Sequence, residues 1–167
     1  MEIKIIDNFL DKIDLKRVIN STNKKSWMIQ KSTPTRLDHL EFLYLDVTDD
    51  EFFNKYLFKQ IEKHLDKKYD IGRIYFNGQW PGRDGAFHQD DSGNAKMSVL
   101  FYVGEYELGW GGFTEILISP TEQKVIAPFQ NRLVIFPGGD LMHKGYSFSH
   151  QRCPMRISLA YKLYESS

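Results

Sequence analysis

The hydrophobic and polar positions fall into two regimes that meet near residue 70. Ahead of that point, "IKIIDNFL" reads as a short strand and a turn. "DKIDLKRVINST" follows, with Asp11 as N-cap and Ile13, Val18 and Ile19 on one side, which predicts a helix. "LDHLEFLYLDV" alternates loosely, as a strand does. In "TDDEFFNKYLFKQIEKHLDKKY", Thr48 and Glu51 stand at capping-box spacing, and Phe53, Leu57, Ile61 and Leu65 recur at every fourth position. That pattern predicts a second, longer helix with one buried face. Beyond residue 70, short apolar or aromatic runs alternate with Gly, Pro and Asp clusters: "IGRIYFNG", "AFHQD", "KMSVLFYVG", "FTEILIS", "QKVIAPF", "RLVIFPGG", "MRISLAYKL". Short strands with turn signals at this spacing predict a sandwich or barrel. The expected fold is mainly β with N-terminal helices. Residues 1–69 brace a double-sheet jelly roll of the cupin kind over 70–167, the whole chain forming one domain.

Composition narrows the function classes. Apolar residues make up 41% of the chain and charged residues 26%, the balance of an ordinary globular protein. Lys+Arg and Asp+Glu stand at 22 each, so nothing in the net charge calls for nucleic acid or an anionic membrane as partner. The lone Cys153 supports neither a disulfide framework nor a Cys-based zinc site. "MEIKIIDNFL" is broken by charges and does not read as a signal peptide. No apolar run approaches the roughly 18 residues of a membrane helix, so the cytoplasm is the expected compartment.

Candidate chemistry begins at "AFHQDDS". In a strand, His88 and Asp90 would project side by side with Gln89 turned away. That pair is two thirds of a metal site, or only a polar edge. Two histidines and a carboxylate on one face of an ion leave positions open, as in non-haem iron oxygenases. His143, after "RLVIFPGGDLM", is the candidate third ligand, and His150 in "SFSHQRCP" is its rival. His39 and His64 read as surface residues near or within the long helix. Arg156 in "MRISLAYKL" is an arginine on an otherwise apolar strand. It calls for a buried anion, either a bound carboxylate or an internal Asp or Glu. Ser158 lies on the same face and offers a hydroxyl.

Taken in order, His88-Gln89-Asp90, His143 and the Arg156 of "RISL" resemble the H-x-D … H … R/K pattern of the Fe(II)/2-oxoglutarate-dependent dioxygenases. "GGFT", from Gly111 to Thr114, the strand "NRLVIFPGGDLMH" and the opening "IKIIDNFLDKIDLKRVI" resemble the prolyl 4-hydroxylase-like branch. The resemblance implies that His88, Asp90 and His143 hold Fe(II) and that Arg156 pairs with the distal carboxylate of 2-oxoglutarate. Tyr102 in "VLFYV" and Tyr75 in "RIYFNG" would be further co-substrate contacts, unless they are simply half-buried strand residues among the 9 tyrosines. The chain departs from many branch members in its longer "NGQWPGRDGAFH" loop and in using Arg156 where many collagen-type enzymes use Lys.

The implied reaction consumes O2 and 2-oxoglutarate, releases succinate and CO2, and hydroxylates a substrate C–H bond, with ascorbate as accessory reductant. A peptidyl proline is the leading implied substrate, and a free amino acid the second. Trp80 and Trp110 could wall a proline ring or merely pack. Gly78, Gly82 and Gly85 would let the loop from Trp80 to Asp84 move as a lid. Competing readings are a nucleic-acid demethylase of the same superfamily, a cupin-like metal- or sugar-binding module, and an inactive relative. The demethylase branch expects R-x-N-x-x-x-R, where this chain has Ser158 and Lys162.

Overall fold

A computed structural model describes residues 2–24, 27–31, 41–93 and 95–166. His39 lies outside the described residues. Ten strands among them build two antiparallel sheets. In chain order these are β1 (Lys4–Ile6), β2 (Met28–Lys31), β3 (Glu41–Asp46), β4 (Tyr69–Gln79), β5 (Met97–Tyr102), β6 (Thr114–Ser119), β7 (Glu122–Ile126), β8 (Leu133–Phe136), β9 (His143–Gly145) and β10 (Arg156–Glu165). The larger sheet has the order β1-β8-β5-β10-β4-β3-β2, and the smaller β7-β6-β9. Their inner faces meet in a cluster that joins Tyr102, Val134 and Phe136 to Ile116 and Ile126. The fold is a double-stranded β-helix, or jelly roll. The N-terminal third does more than brace it: β1 pairs with β8 and β3 with β4.

Helices cover the outer face of the larger sheet. Helix α1 (Lys12–Lys24) starts at Asp11, whose carboxylate accepts the N–H groups of Ile13 and Asp14 at 2.8 and 2.9 Å. Its inward stripe is the buried Val18 and Thr22 with the half-buried Leu15 and Ile19, at helical spacing, while Ile13 falls off that stripe and is 80% exposed.

The second helical segment differs from its predicted form. Residues Phe52–Leu57 make a π-helical turn and α2 spans only Phe58–Glu62. No Thr48–Glu51 capping box forms. The Thr48 hydroxyl binds Ile74 on β4 instead, and Asp50 Oδ1 accepts the Phe52 N–H. Paired aromatic and apolar residues explain the wide turn. Phe52 and Phe53 are both buried, as are Leu57 and Phe58, and an i→i+5 turn brings such doublets onto one side. The Tyr161 hydroxyl reaches across from β10 to bond the Phe53 carbonyl at 3.0 Å. Among the described residues no helix is long and apolar enough to cross a membrane.

β10 lies at the centre of the larger sheet, between β4 and β5, and its alternation divides the molecule. Ile157, Leu159, Tyr161 and Leu163 join the helix-covered core. Arg156, Ser158, Ala160 and Lys162 point the other way, into the space between the sheets. Register carries the same division onto the neighbours. Tyr102 and Ser98 of β5 stand opposite Ser158 and Lys162, and Gln79, Asn77, Tyr75 and Arg73 of β4 stand opposite the inward residues of β10. The inner face is therefore a polar floor.

Candidate active site

"AFHQDDS" is not a strand. His88 makes an isolated bridge with His143, each N–H donating to the other's carbonyl at 3.0 and 2.9 Å. Asp90 then opens a short 3-10 turn, Asp90–Gly93. The pair still converges, because the bridge aims His88 inward and the turn swings Asp90 back beneath it. Ligand atoms of His88, Asp90 and His143 all lie within 4.8 Å of one another. His88 Nε2 is 3.5 Å from Asp90 Oδ1, and His143 Nε2 is 3.4 Å from Asp90 Oδ2. His150 is elsewhere, its Nδ1 accepting the Arg152 N–H, and His64 packs edge-on against Phe9.

Each of the two imidazoles is oriented by the backbone. His88 Nδ1 lies 2.9 Å from the Ala86 carbonyl and His143 Nδ1 2.9 Å from that of Leu141. A carbonyl accepts only, so each Nδ1 carries a proton, and Nε2 is the ring nitrogen turned to the carboxylate, the atom a metal would take. Phe136 packs edge-on against His143 at 4.8 Å. His88 is exposed, whereas Asp90 and His143 are buried, so the cluster opens to solvent on the His88 side.

Burial by itself would raise the Asp90 carboxyl. The adjacent Lys162 ammonium and the His143 and His88 imidazoles outweigh it and hold Asp90 well below the usual carboxylate range. Burial lowers His143, against the opposing pull of Asp90. Both shifts favour an ionised carboxylate beside a neutral imidazole, the forms that bind a cation. The donor set, two nitrogens and one oxygen, suits a non-haem Fe(II) site with open positions.

Arg156 occupies the other end of the inner face, fully enclosed. Its Nε donates to the Gly112 carbonyl at 2.7 Å, one terminal nitrogen to Gln79 Oε1 at 2.8 Å and the other to Thr114 Oγ1 at 2.9 Å. Among the described residues no carboxylate pairs with it. The internal salt bridge left open by the sequence does not form among those residues. Burial lowers the Arg156 pKa and the neighbouring Tyr102 partly offsets that. A buried cation ringed only by neutral acceptors is costly and calls for an anion. Gly112, at φ +72°, turns its carbonyl onto Nε in a conformation a side chain would strain.

Tyr102 donates to Thr114 Oγ1 at 2.7 Å, and the Arg156 guanidinium lies 5.4 Å from its ring. Ser158 is its cross-strand neighbour. Tyr75 is not at this end. It pairs in register with Ala160, stacks on Tyr44 at 4.9 Å and has Lys162 Nζ 6.0 Å from its ring. On the same strand face it is Gln79 that meets Arg156. The loop from Trp80 to Gly85 is fastened rather than free. Ser147 bonds Asp84 through both its N–H and its hydroxyl and accepts the Gly82 N–H, and Gly85 N–H donates to the Gly145 carbonyl. Trp80 is 56% exposed, while Trp110 packs on Phe148.

Sequence alone gives Gln79, Thr114, Ser98 and Lys162 no role at the site. The available signal was strand parity: polar residues alternating with apolar ones on strands that are buried on both faces.

Compared by sequence, the chain matches no family model and none of the curated proteins. Solved structures share its fold. An oxidoreductase of the 2OG-Fe(II) oxygenase family from Burkholderia pseudomallei superposes with a TM-score of 0.79 at 12% identity, over 97% of this chain and 84% of that one. A Trichoplax adhaerens prolyl hydroxylase, in complex with a hypoxia inducible factor oxygen degradation domain peptide fragment, gives 0.73 at 15% identity, over 97% and 83%. A Pseudomonas putida prolyl-4-hydroxylase gives 0.70 at 16% identity, over 99% and 93%.

Proposed function

We propose that this chain is an Fe(II)- and 2-oxoglutarate-dependent dioxygenase that hydroxylates a substrate C–H bond, with a peptidyl proline as the substrate. The observation that carries the reading is the buried Arg156, with no carboxylate partner among the described residues, on the inner face that also presents Lys162 to Asp90 of the His88–Asp90–His143 cluster. A dicarboxylate is the anion that would satisfy both ends of that face. Its distal carboxylate would pair with the guanidinium, and its keto-acid end would reach the metal. The shared fold agrees with this chemistry, and the two prolyl hydroxylases among the similar structures, one with a peptide bound, support the substrate.

In this reading His88, Asp90 and His143 hold the iron, and the neutral His143 imidazole and ionised Asp90 carboxylate are already in their binding forms. Iron and O2 would supply the oxidising chemistry, by which 2-oxoglutarate, O2 and R–H become succinate, CO2 and R–OH. Arg156, Thr114 and Tyr102 orient the dicarboxylate, with the Ser158 hydroxyl alongside. The buried Val134 and Phe136, with the half-buried Leu100, exclude water from the inner face. Tyr75 and Tyr44 line the half-open side, where a substrate enters past His88. The whole chain acts as one catalytic domain. A free amino acid is the smaller alternative substrate, and the balanced charge gives a nucleic acid no footing.

The test is succinate formation by anaerobically purified protein given Fe(II), 2-oxoglutarate, O2 and ascorbate, with and without proline-rich peptides. Turnover that rises with peptide and vanishes in His143→Ala is the expected result. Turnover unaffected by peptide would keep the dioxygenase and remove the prolyl substrate. Absence of both turnover and iron-dependent 2-oxoglutarate binding would leave the metal-binding-module reading in its place.

A further inference from the structure

The two oxygens of Asp90 are treated differently. Oδ2 accepts hydrogen bonds from the Lys162 ammonium and the Ser98 hydroxyl, with His143 Nε2 3.4 Å away. Oδ1 faces His88 Nε2 and takes no lysine, hydroxyl or backbone donor among the described residues. Lys162 is 5% exposed, and Asp90 is its ion-pair partner. It stands on the inner face of β10, opposite Ser98 of β5, so both donors come from rigid, central strands.

Gly138 closes the remaining side. A Cβ there would fall 2.0 Å from Ser98 Oγ and 2.6 Å from Asp90 Oδ2, and the Gly138 carbonyl accepts the Asp90 N–H at 2.8 Å. The next residue is held too: Asp91 bonds Arg73 at 2.7 Å and also the Tyr164 hydroxyl. The turn that carries Asp90 is therefore fixed by β4, β5 and β10 together.

We propose that Lys162 is a positioning residue that reserves Asp90 Oδ2, so that a metal held by His88, Asp90 and His143 meets this carboxylate through Oδ1 alone. The inference rests on the dioxygenase reading above. Its consequence is a matter of counting. A six-coordinate ion with three protein ligand atoms has three positions left, and a chelating keto acid uses two of them. A carboxylate free to bind through both oxygens would occupy the last one. A charged donor resists displacement by a dication better than a hydroxyl does, because charge-assisted hydrogen bonds are roughly twice as strong as neutral ones. Ser98 then sets the angle and Lys162 keeps the oxygen occupied.

The experiment uses the full chain loaded with Fe(II) and 2-oxoglutarate under nitrogen, with nitric oxide as the probe of the last position. Nitric oxide affinity is read from the electron paramagnetic resonance signal of the adduct. Lys162→Met should keep iron-dependent 2-oxoglutarate binding but lose nitric oxide affinity by about tenfold or more, and Lys162→Arg should recover most of it. Ser98→Ala, which leaves the ammonium in place, should show a smaller loss in the same direction. Wild-type nitric oxide affinity in Lys162→Met overturns the proposal. Should Lys162→Met fail to hold iron, an unchanged affinity in Ser98→Ala overturns it equally. Failure of the wild-type protein to bind iron and 2-oxoglutarate would instead remove the dioxygenase reading itself.

Discussion

The two faces of the larger sheet are made from alternate residues of the same strands, yet they follow opposite rules. On the outer face Ile74, Phe76, Phe101, Leu159, Tyr161 and Leu163 are buried against α1 and the π-helical turn, and each removes apolar area from water. On the inner face Ser98, Arg156, Ser158 and Lys162 are buried just as deeply but are polar or charged. The outer face gains free energy by being buried. The inner face holds a guanidinium with no carboxylate partner among the described residues and an ammonium on the Asp90 carboxylate, both of which cost desolvation. The difference teaches that stability and chemistry are separated here by a single residue of strand phase.

The largest test of that separation is Phe76→Ala. Phe76 is fully buried, edge-on to Phe53 at 5.5 Å, and its truncation should cost about 3–5 kcal/mol in a denaturant melt. At temperatures where the variant is folded, 2-oxoglutarate affinity should stay near wild type. A large loss of affinity in the folded variant would break the comparison.

Arg156→Met probes the other face. Removing the unpaired cation relieves its burial cost but leaves Gly112, Gln79 and Thr114 short of a donor. These effects oppose, so the unfolding free energy should change by no more than about 2 kcal/mol. The 2-oxoglutarate KM should rise about a hundredfold. Calorimetry and initial-rate kinetics on the same preparation check both halves. A loss of stability as large as that of Phe76→Ala would mean that the inner face is structural after all.

The smallest effect sits at the rim, where Arg132 Nε bonds Asp7 at 2.6 Å beside β1 and β8. The Arg132 hydrogen bond, ahead of the opposing effect of burial, holds the Asp7 carboxyl below its ordinary value. A depressed folded pKa means the contribution is present above the unfolded value and is lost as pH falls through the folded one. Because Asp7 is exposed, Asp7→Asn should cost less than about 1 kcal/mol at neutral pH. The two proteins should converge in thermal melts as the pH is lowered from about 5 to about 2.

Much of this is legible in the sequence. Turn residues between short apolar runs announce the jelly roll, and H-x-D with a later His names the three residues that the fold brings together. Other features are not. The Thr48–Glu51 spacing satisfied a capping rule, but Thr48 was taken by Ile74 on β4, a partner distant in sequence. His88 and Asp90 converge through a bridge and a 3-10 turn rather than through strand parity. Alternation alone does not say which β4 residue meets Arg156; register places Gln79 there and sets Tyr75 opposite Ala160. Lys162 stood out only as a departure from a motif, although its alternation with Arg156, Ser158 and Ala160 put it on the same face.

The sequence by itself determined which residues carry chemistry and which periodicity each segment follows, because side-chain type and alternation are local properties. Only the tertiary structure decided that Arg156 has no acidic partner among the described residues, that Lys162 and Ser98 share one oxygen of Asp90, and that Gly138 leaves room for them. Those facts depend on which strands become neighbours and in what register. Register is fixed by burying the outer faces of all the strands at once, a condition that no single segment contains.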